Sequence, residues 1–168
     1  MSREVRWFIR SSLVWLVLGV LLGVLLAVFP SRLALLRPAH LHMNLLGFMS
    51  MMIFGVAYHI LPRFTGVPVR SQRLVWINLL LSNSGLAVLV LGWAMRRVVP
   101  AAPMPTISAL LTVGGVLAAG GAVSFVVNVW GMLSGPPAVP GSRLAPELPC
   151  GGAGPPSPLI QLGRKPQQ

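Results

Sequence analysis

Acidic residues are almost missing from this chain: 2 Asp+Glu stand against 13 Lys+Arg in 168 residues. Charged residues of both signs make up only 9%, where a soluble domain carries about 25%. So few charges cannot coat a globular surface in water, whereas lipid asks for no such coat. The same sparsity argues against nucleic acid as a partner. The basic residues fall between apolar runs, and no basic stripe is interleaved with exposed polar surface. Cysteine occurs once, as Cys150. The chain therefore cannot close a disulfide on itself, and it has no Cys-x-x-Cys-His signature of covalent haem attachment. Cys150 is read as an unpaired thiol with no assigned role.

What is abundant is apolar. The hydrophobic set makes up 55% of the residues. A bilayer core takes roughly 20 apolar residues in helix. Four stretches meet that length: about 7–29, 40–61, 74–95 and 106–133. Pro30, Pro62 and the Gly135-Pro136-Pro137 run are expected to end three of them, because proline lacks a donor N–H and crowds the preceding turn. The first stretch is longer than a signal-peptide apolar region of about 7–15 residues, so a retained span is expected. The connections are short, which makes sequential helices antiparallel neighbours. The expected fold class is all-α, an integral membrane four-helix up-down bundle over 1–133. A disordered Pro/Gly-rich tail is expected over 134–168, where no apolar periodicity offsets the cost of ordering. In the fourth stretch Gly114, Ala118 and Ala122 recur every four residues and are read as a helix–helix seam.

The arginines set the topology. Arg3, Arg6, Arg10, Arg63, Arg70, Arg73, Arg143, Arg164 and Lys165 fall on one side of such a bundle, and Arg32, Arg37, Arg96 and Arg97 on the other. The positive-inside rule then places both termini in the cytoplasm of a multi-pass cell (inner) membrane protein.

Histidine is the informative polar residue. His40, His42 and His59 all fall in the second stretch, and no Asp or Glu lies in any of the four. Intramembrane ionisable groups are costly and are functional candidates by default. On an ideal helix Asn44, Gly47, Met51, Gly55 and Tyr58 all fall within about 60° of His40. Glycines beside such a histidine would let a flat macrocycle approach. His42 falls on the opposite side. His59 lies roughly 28 Å further along by helical rise, so it cannot share a metal with His40 in one chain. Plainer readings exist for each. His40 can bond a neighbouring carbonyl at a span end, His42 can make helix contacts, and His59 can be an interfacial polar residue beside Arg63. Met49, Met51 and Met52 read as packing. Asn78, Asn83 and Asn128 read as bonds across helices.

The segment Leu36-Arg37-Pro38-Ala39-His40, with the glycine-containing helix after it and Arg63 at its close, resembles the second helix of subunit I of the heme–copper oxidases. The likeness is to the cytochrome cbb type and its nitric oxide reductase relatives, and it covers the first four helices. The end of the fourth stretch, Phe125 to Gly131, is loosely similar to the family's fourth helix. The resemblance implies that His40 is an axial ligand of a haem b at the outer face. Arg37, alone or together with Arg32, would face the propionates, and Arg63 would close the same helix. His42, Asn44 and Gly47 are the further candidate cofactor contacts. The family's catalytic subunit has about twelve helices and a copper site with an adjacent His-His pair, and this chain has neither. It lacks the residues for an oxygen- or nitric-oxide-reducing centre of its own, so as an enzyme it would be at most a subunit of an oxidoreductase.

Three functions follow as expectations. One is a haem b-binding electron-transfer subunit of a respiratory chain. Another is an accessory or assembly subunit without haem. A third is a copper-handling protein using His40, His42 and Met43, since imidazole and thioether suit Cu(I). The expected partners are the lipid bilayer and either a second copy of the chain or other respiratory subunits. The topology is tested in a Cys150→Ser background. Ala34→Cys and Ala101→Cys, in the first and third connections, should react with an impermeant thiol reagent added outside. Reaction only after permeabilisation would reverse the orientation.

Overall fold

The computed structural model describes residues 2–134, and the expected tail lies outside the described residues from 135 onward. Four helices make up the fold: α1 Arg3–Val28, α2 Ala34–Thr65, α3 Gln72–Val98 and α4 Met104–Leu133. No strand occurs among the described residues. The helices run 26, 32, 27 and 30 residues, and each is long and apolar enough to cross a membrane. At 1.5 Å per residue even the shortest extends about 39 Å, against a hydrocarbon core of about 30 Å.

The ends follow from local chemistry. Ser2 caps α1 by accepting from the Val5 amide at 3.5 Å, and Ser71 caps α3 by accepting from the Leu74 amide at 3.5 Å. Pro105 sits in the first turn of α4, where its missing N–H costs nothing. Pro62 corrects an expectation, because it lies inside α2 and does not end it. The Thr65 hydroxyl donates to the Leu61 carbonyl at 2.9 Å, supporting the turn that proline disturbs. The helix stops at Gly66, whose φ of 69° is the left-handed conformation that glycine adopts freely.

Helix α2 is not uniform. It opens with a 3₁₀ turn over Ala34–Leu36, runs as α-helix over Arg37–His42, and widens to π-helix over Met43–Ser50. It returns to α-helix from Met51. The wide turn leaves backbone carbonyls off the i→i+4 ladder. Ser50 compensates by donating its hydroxyl to the Leu45 carbonyl at 2.9 Å.

Contacts across the seams define the arrangement. Gly23, Gly19, Trp15 and Phe8 of α1 face His40, Asn44, Gly47 and Gly55 of α2 in reversed order, so the two helices are antiparallel. Helices α3 and α4 form the most extensive interface, also antiparallel, with Gly92 against Leu111, Gly85 against Gly114 and Ala118, and Ser82 against Gly121. Glycine is required at Gly85, because a Cβ there would run into the Ala118 amide and lie 2.8 Å from the Gly114 carbonyl oxygen. The expected small-residue seam is present at Gly114 and Ala118, but its third member is Gly121. Ala122 is exposed and turned toward α2. The aromatic rings of Phe8, Phe54, Tyr58 and Phe125 join α1, α2 and α4, with Phe54 and Phe125 centroids 4.4 Å apart.

Many large apolar side chains face outward on all four helices, among them Val24, Ile53, Leu80 and Val116. The seams, by contrast, rest on close backbone approach. Gly85→Ala should therefore cost about 1–3 kcal/mol of unfolding stability in mixed micelles, as overpacking does. Gly115→Ala, where nothing lies within 4 Å of the added carbon, should cost nothing. Equal effects would show that the α3–α4 contact is looser than described.

Candidate functional site

His40 sits in the second turn of α2, and its ring lies in the seam with α1. Its Nδ1 is 2.8 Å from the carbonyl oxygen of Gly19. A carbonyl only accepts, so Nδ1 carries the proton and donates it. The neutral tautomer then has its lone pair on Nε2, which makes no hydrogen bond among the described residues and is not enclosed by them. The ring fits because α1 has no side chain at that level. A Cβ on Gly23 would lie 2.7 Å from Cε1 of His40. A bond from a span-end histidine to a nearby carbonyl is also what the plainer reading of His40 expects. The arrangement goes further in leaving Nε2 open beside a groove.

That groove, about 330 Å³ in volume, is lined by Gly23, Leu26, Ala27, Arg37, His40 and Leu41. Its walls are apolar except at His40 itself and at Arg37, which lies three residues before His40 and is exposed. Gly23 and Ala27 leave one wall nearly free of side chains. A neutral imidazole whose other nitrogen donates to a backbone carbonyl is the usual state of a metal-ligating histidine. A guanidinium beside an apolar slot suits the carboxylates of a flat, amphiphilic group. The donor set therefore fits haem b, the group that the oxidase resemblance implies.

The remaining candidates are placed differently. Asn44 donates to the His40 carbonyl at 2.9 Å and packs against Gly19, so it belongs to the α1 seam. Gly47 does not offer a surface to a macrocycle. Trp15 and Leu86 fill the space, and a Cβ there would lie 2.6 Å from the Trp15 Cβ. Gly55 is likewise covered by Phe8. The glycine that borders the histidine is Gly23 of α1. The sequence reading missed it because helical projection of α2 alone says nothing about which glycine of a neighbour arrives opposite. His42 donates from Nδ1 to the Pro38 carbonyl at 2.6 Å, inside its own helix. His59 accepts from Arg63 Nη1 at 2.8 Å near the other end of α2, in keeping with an interfacial polar residue. Among the described residues no three His, Cys, Asp or Glu side chains gather at one point.

Three polar clips hold the helices that carry these residues. Asn78 donates to the Tyr58 hydroxyl at 3.3 Å and accepts from Ser82 at 3.0 Å. Trp15 donates from Nε1 to Asn83 Oδ1 at 3.1 Å. Asn128 exchanges two 3.0 Å bonds with the backbone of Ser71, accepting from its amide and donating to its carbonyl. The bonds across helices expected of Asn78, Asn83 and Asn128 are thus all made. No known protein family, curated protein or solved structure matches this chain. Tyr58→Phe should lower unfolding stability by about 1 kcal/mol, the cost of leaving the Asn78 amide unpaired. It should leave any cofactor at His40 in place, about 27 Å along α2. Loss of that cofactor would make Tyr58 part of the site.

Proposed function

We propose that the chain crosses a cell membrane four times, with both termini in the cytoplasm, and holds a haem b through His40 as an electron-transfer subunit. In this reading it resembles the first four helices of oxidase subunit I without that subunit's catalytic centre. The carrying observation is the 2.8 Å contact of His40 Nδ1 with the Gly19 carbonyl oxygen, which leaves Nε2 without a hydrogen bond beside the Gly23–Ala27–Arg37 groove. Bound haem supplies a one-electron couple. The chain's own residues ligate through His40, counter a carboxylate through Arg37, and keep water from the slot with Leu26 and Leu41.

A haem-free accessory subunit is the second reading. It is favoured by the use of Asn44, Gly47, Met51, Gly55 and Tyr58 in helix packing, which leaves His40 alone of its stripe at an open groove. For copper, His40 and His42 are tied to different carbonyls, on α1 and within α2 respectively, and among the described residues no three His, Cys, Asp or Glu side chains gather at one point.

Haem content per chain, measured on protein expressed with haem in excess, separates these readings. His40→Ala should abolish binding, His42→Ala should lower it only modestly, and His59→Ala should leave it unchanged. Arg37→Ala should keep the haem and lower its midpoint potential, because a positive charge near the propionates favours the reduced state. Full retention in His40→Ala would remove the ligand assignment. Absence of haem from the wild type would leave the accessory reading.

A further inference from the structure

We propose that the His40 groove is half of a haem site, completed by the same groove on a second copy of this chain. The inference rests on the haem reading above and concerns what lies across the groove.

The groove would supply one imidazole, that of His40, to the iron. Its lining contains no second His, Met or Cys. Within the chain, His59 is roughly 28 Å from His40 along α2, and its Nε2 already takes a bond from Arg63. His42 follows His40 by two positions and so points to the other side of the helix. Its Nδ1 is held by Pro38. An iron that only exchanges electrons would be served by two strong axial ligands, and the described residues offer one at this groove.

Charge gives the same count. Haem b carries two carboxylates. The groove presents one guanidinium, Arg37, which makes no hydrogen bond or ion pair through its side chain among the described residues. It lies about one turn nearer the helix start than His40. Two copies bring two imidazoles and two guanidiniums, which matches two axial positions and two propionates.

The surroundings allow the approach. Gly23 and Ala27 give a wall without bulk, and the α1 face beside them is open. Val20, Val24 and Val28 are at least half exposed, as are Leu41 and Leu45 across the groove on α2. A two-fold axis along the membrane normal sets both grooves at one depth, the same patch meeting itself as closed symmetry requires. Both Arg37 side chains then fall on the same side of the shared group.

The test uses the full chain, purified in mild detergent with haem supplied in excess. Haem per chain, particle mass, low-temperature electron paramagnetic resonance and carbon monoxide binding are measured together. The expected result is one haem per two chains, a dimer, a low-spin six-coordinate signal and little reaction with carbon monoxide. His42→Ala should lower haem content only modestly and should keep the dimer, the six-coordinate signal and the weak reaction with carbon monoxide. A mixed dimer of wild type and His40→Ala, isolated with two different tags, should hold a five-coordinate haem that binds carbon monoxide readily. One haem per chain would overturn the sharing while leaving His40 as a ligand. So would a five-coordinate wild type, or a six-coordinate signal lost in His42→Ala. A wild type that takes up no haem at all would instead overturn the functional reading beneath it.

Discussion

The hydrogen bond from His40 Nδ1 to the Gly19 carbonyl is possible only because α1 has no side chain where the imidazole arrives. A helical carbonyl already serves the amide four residues on, and its second lone pair is usually screened by the side chains around it. With Gly19 and Gly23 one turn apart, the backbone lies bare along one strip. Asn44 rests on Gly19 and His40 on Gly23. Further along the seam the roles reverse, and Trp15 and Phe8 of α1 fill the space above Gly47 and Gly55 of α2. In lipid, two apolar helices would have no hydrophobic drive pressing them together, and their contact would depend on this close approach. The same bond turns Nδ1 toward Gly19, and with the proton held there the lone pair lies on Nε2.

Helix α3 anchors the remaining parts. It is the most buried of the four, and each of its neighbours is attached by a polar side chain as well as by packing. Trp15 of α1 reaches Asn83, Tyr58 of α2 reaches Asn78, and Asn128 of α4 closes on Ser71 at the start of α3. These bonds specify partner and register. Individually they are worth little in a membrane, on average about 0.6 kcal/mol, since an unfolded chain in lipid finds partners too. The α3–α4 pair adds backbone contact at Gly85, Gly114 and Gly121. The His40 groove lies away from this pair, between α1 and α2, where the packing is less extensive.

The π segment of α2 connects the two ends of that helix. Met43–Ser50 carries wider turns than an α-helix, so residues after it are rotated relative to an unbroken α register. Even so, Met51, Gly55 and Tyr58 remain buried against α1 and α3. Such bulges recur at functional positions. Here the wide turn begins one residue after His42, and the Ser50 hydroxyl closes it.

Residue pattern alone determined the number and approximate limits of the helices, because apolar runs of spanning length are set by composition and need no knowledge of packing. It also determined that neighbours run antiparallel, since short connections allow nothing else, and that His40 and Arg37 stand together, three positions apart on one helix. Only the tertiary structure decided the rest. Pro62 lies within a helix that runs on to Thr65 and ends at Gly66. The glycine beside His40 is Gly23, on a different helix, and Gly47 is taken by Trp15. The third small residue of the α4 seam is Gly121 rather than Ala122, because Ser82 arrives there. In each case the outcome depends on which side chain of a neighbouring helix comes to a given level. Periodicity within one helix carries no information on that, and close packing in three dimensions fixes it.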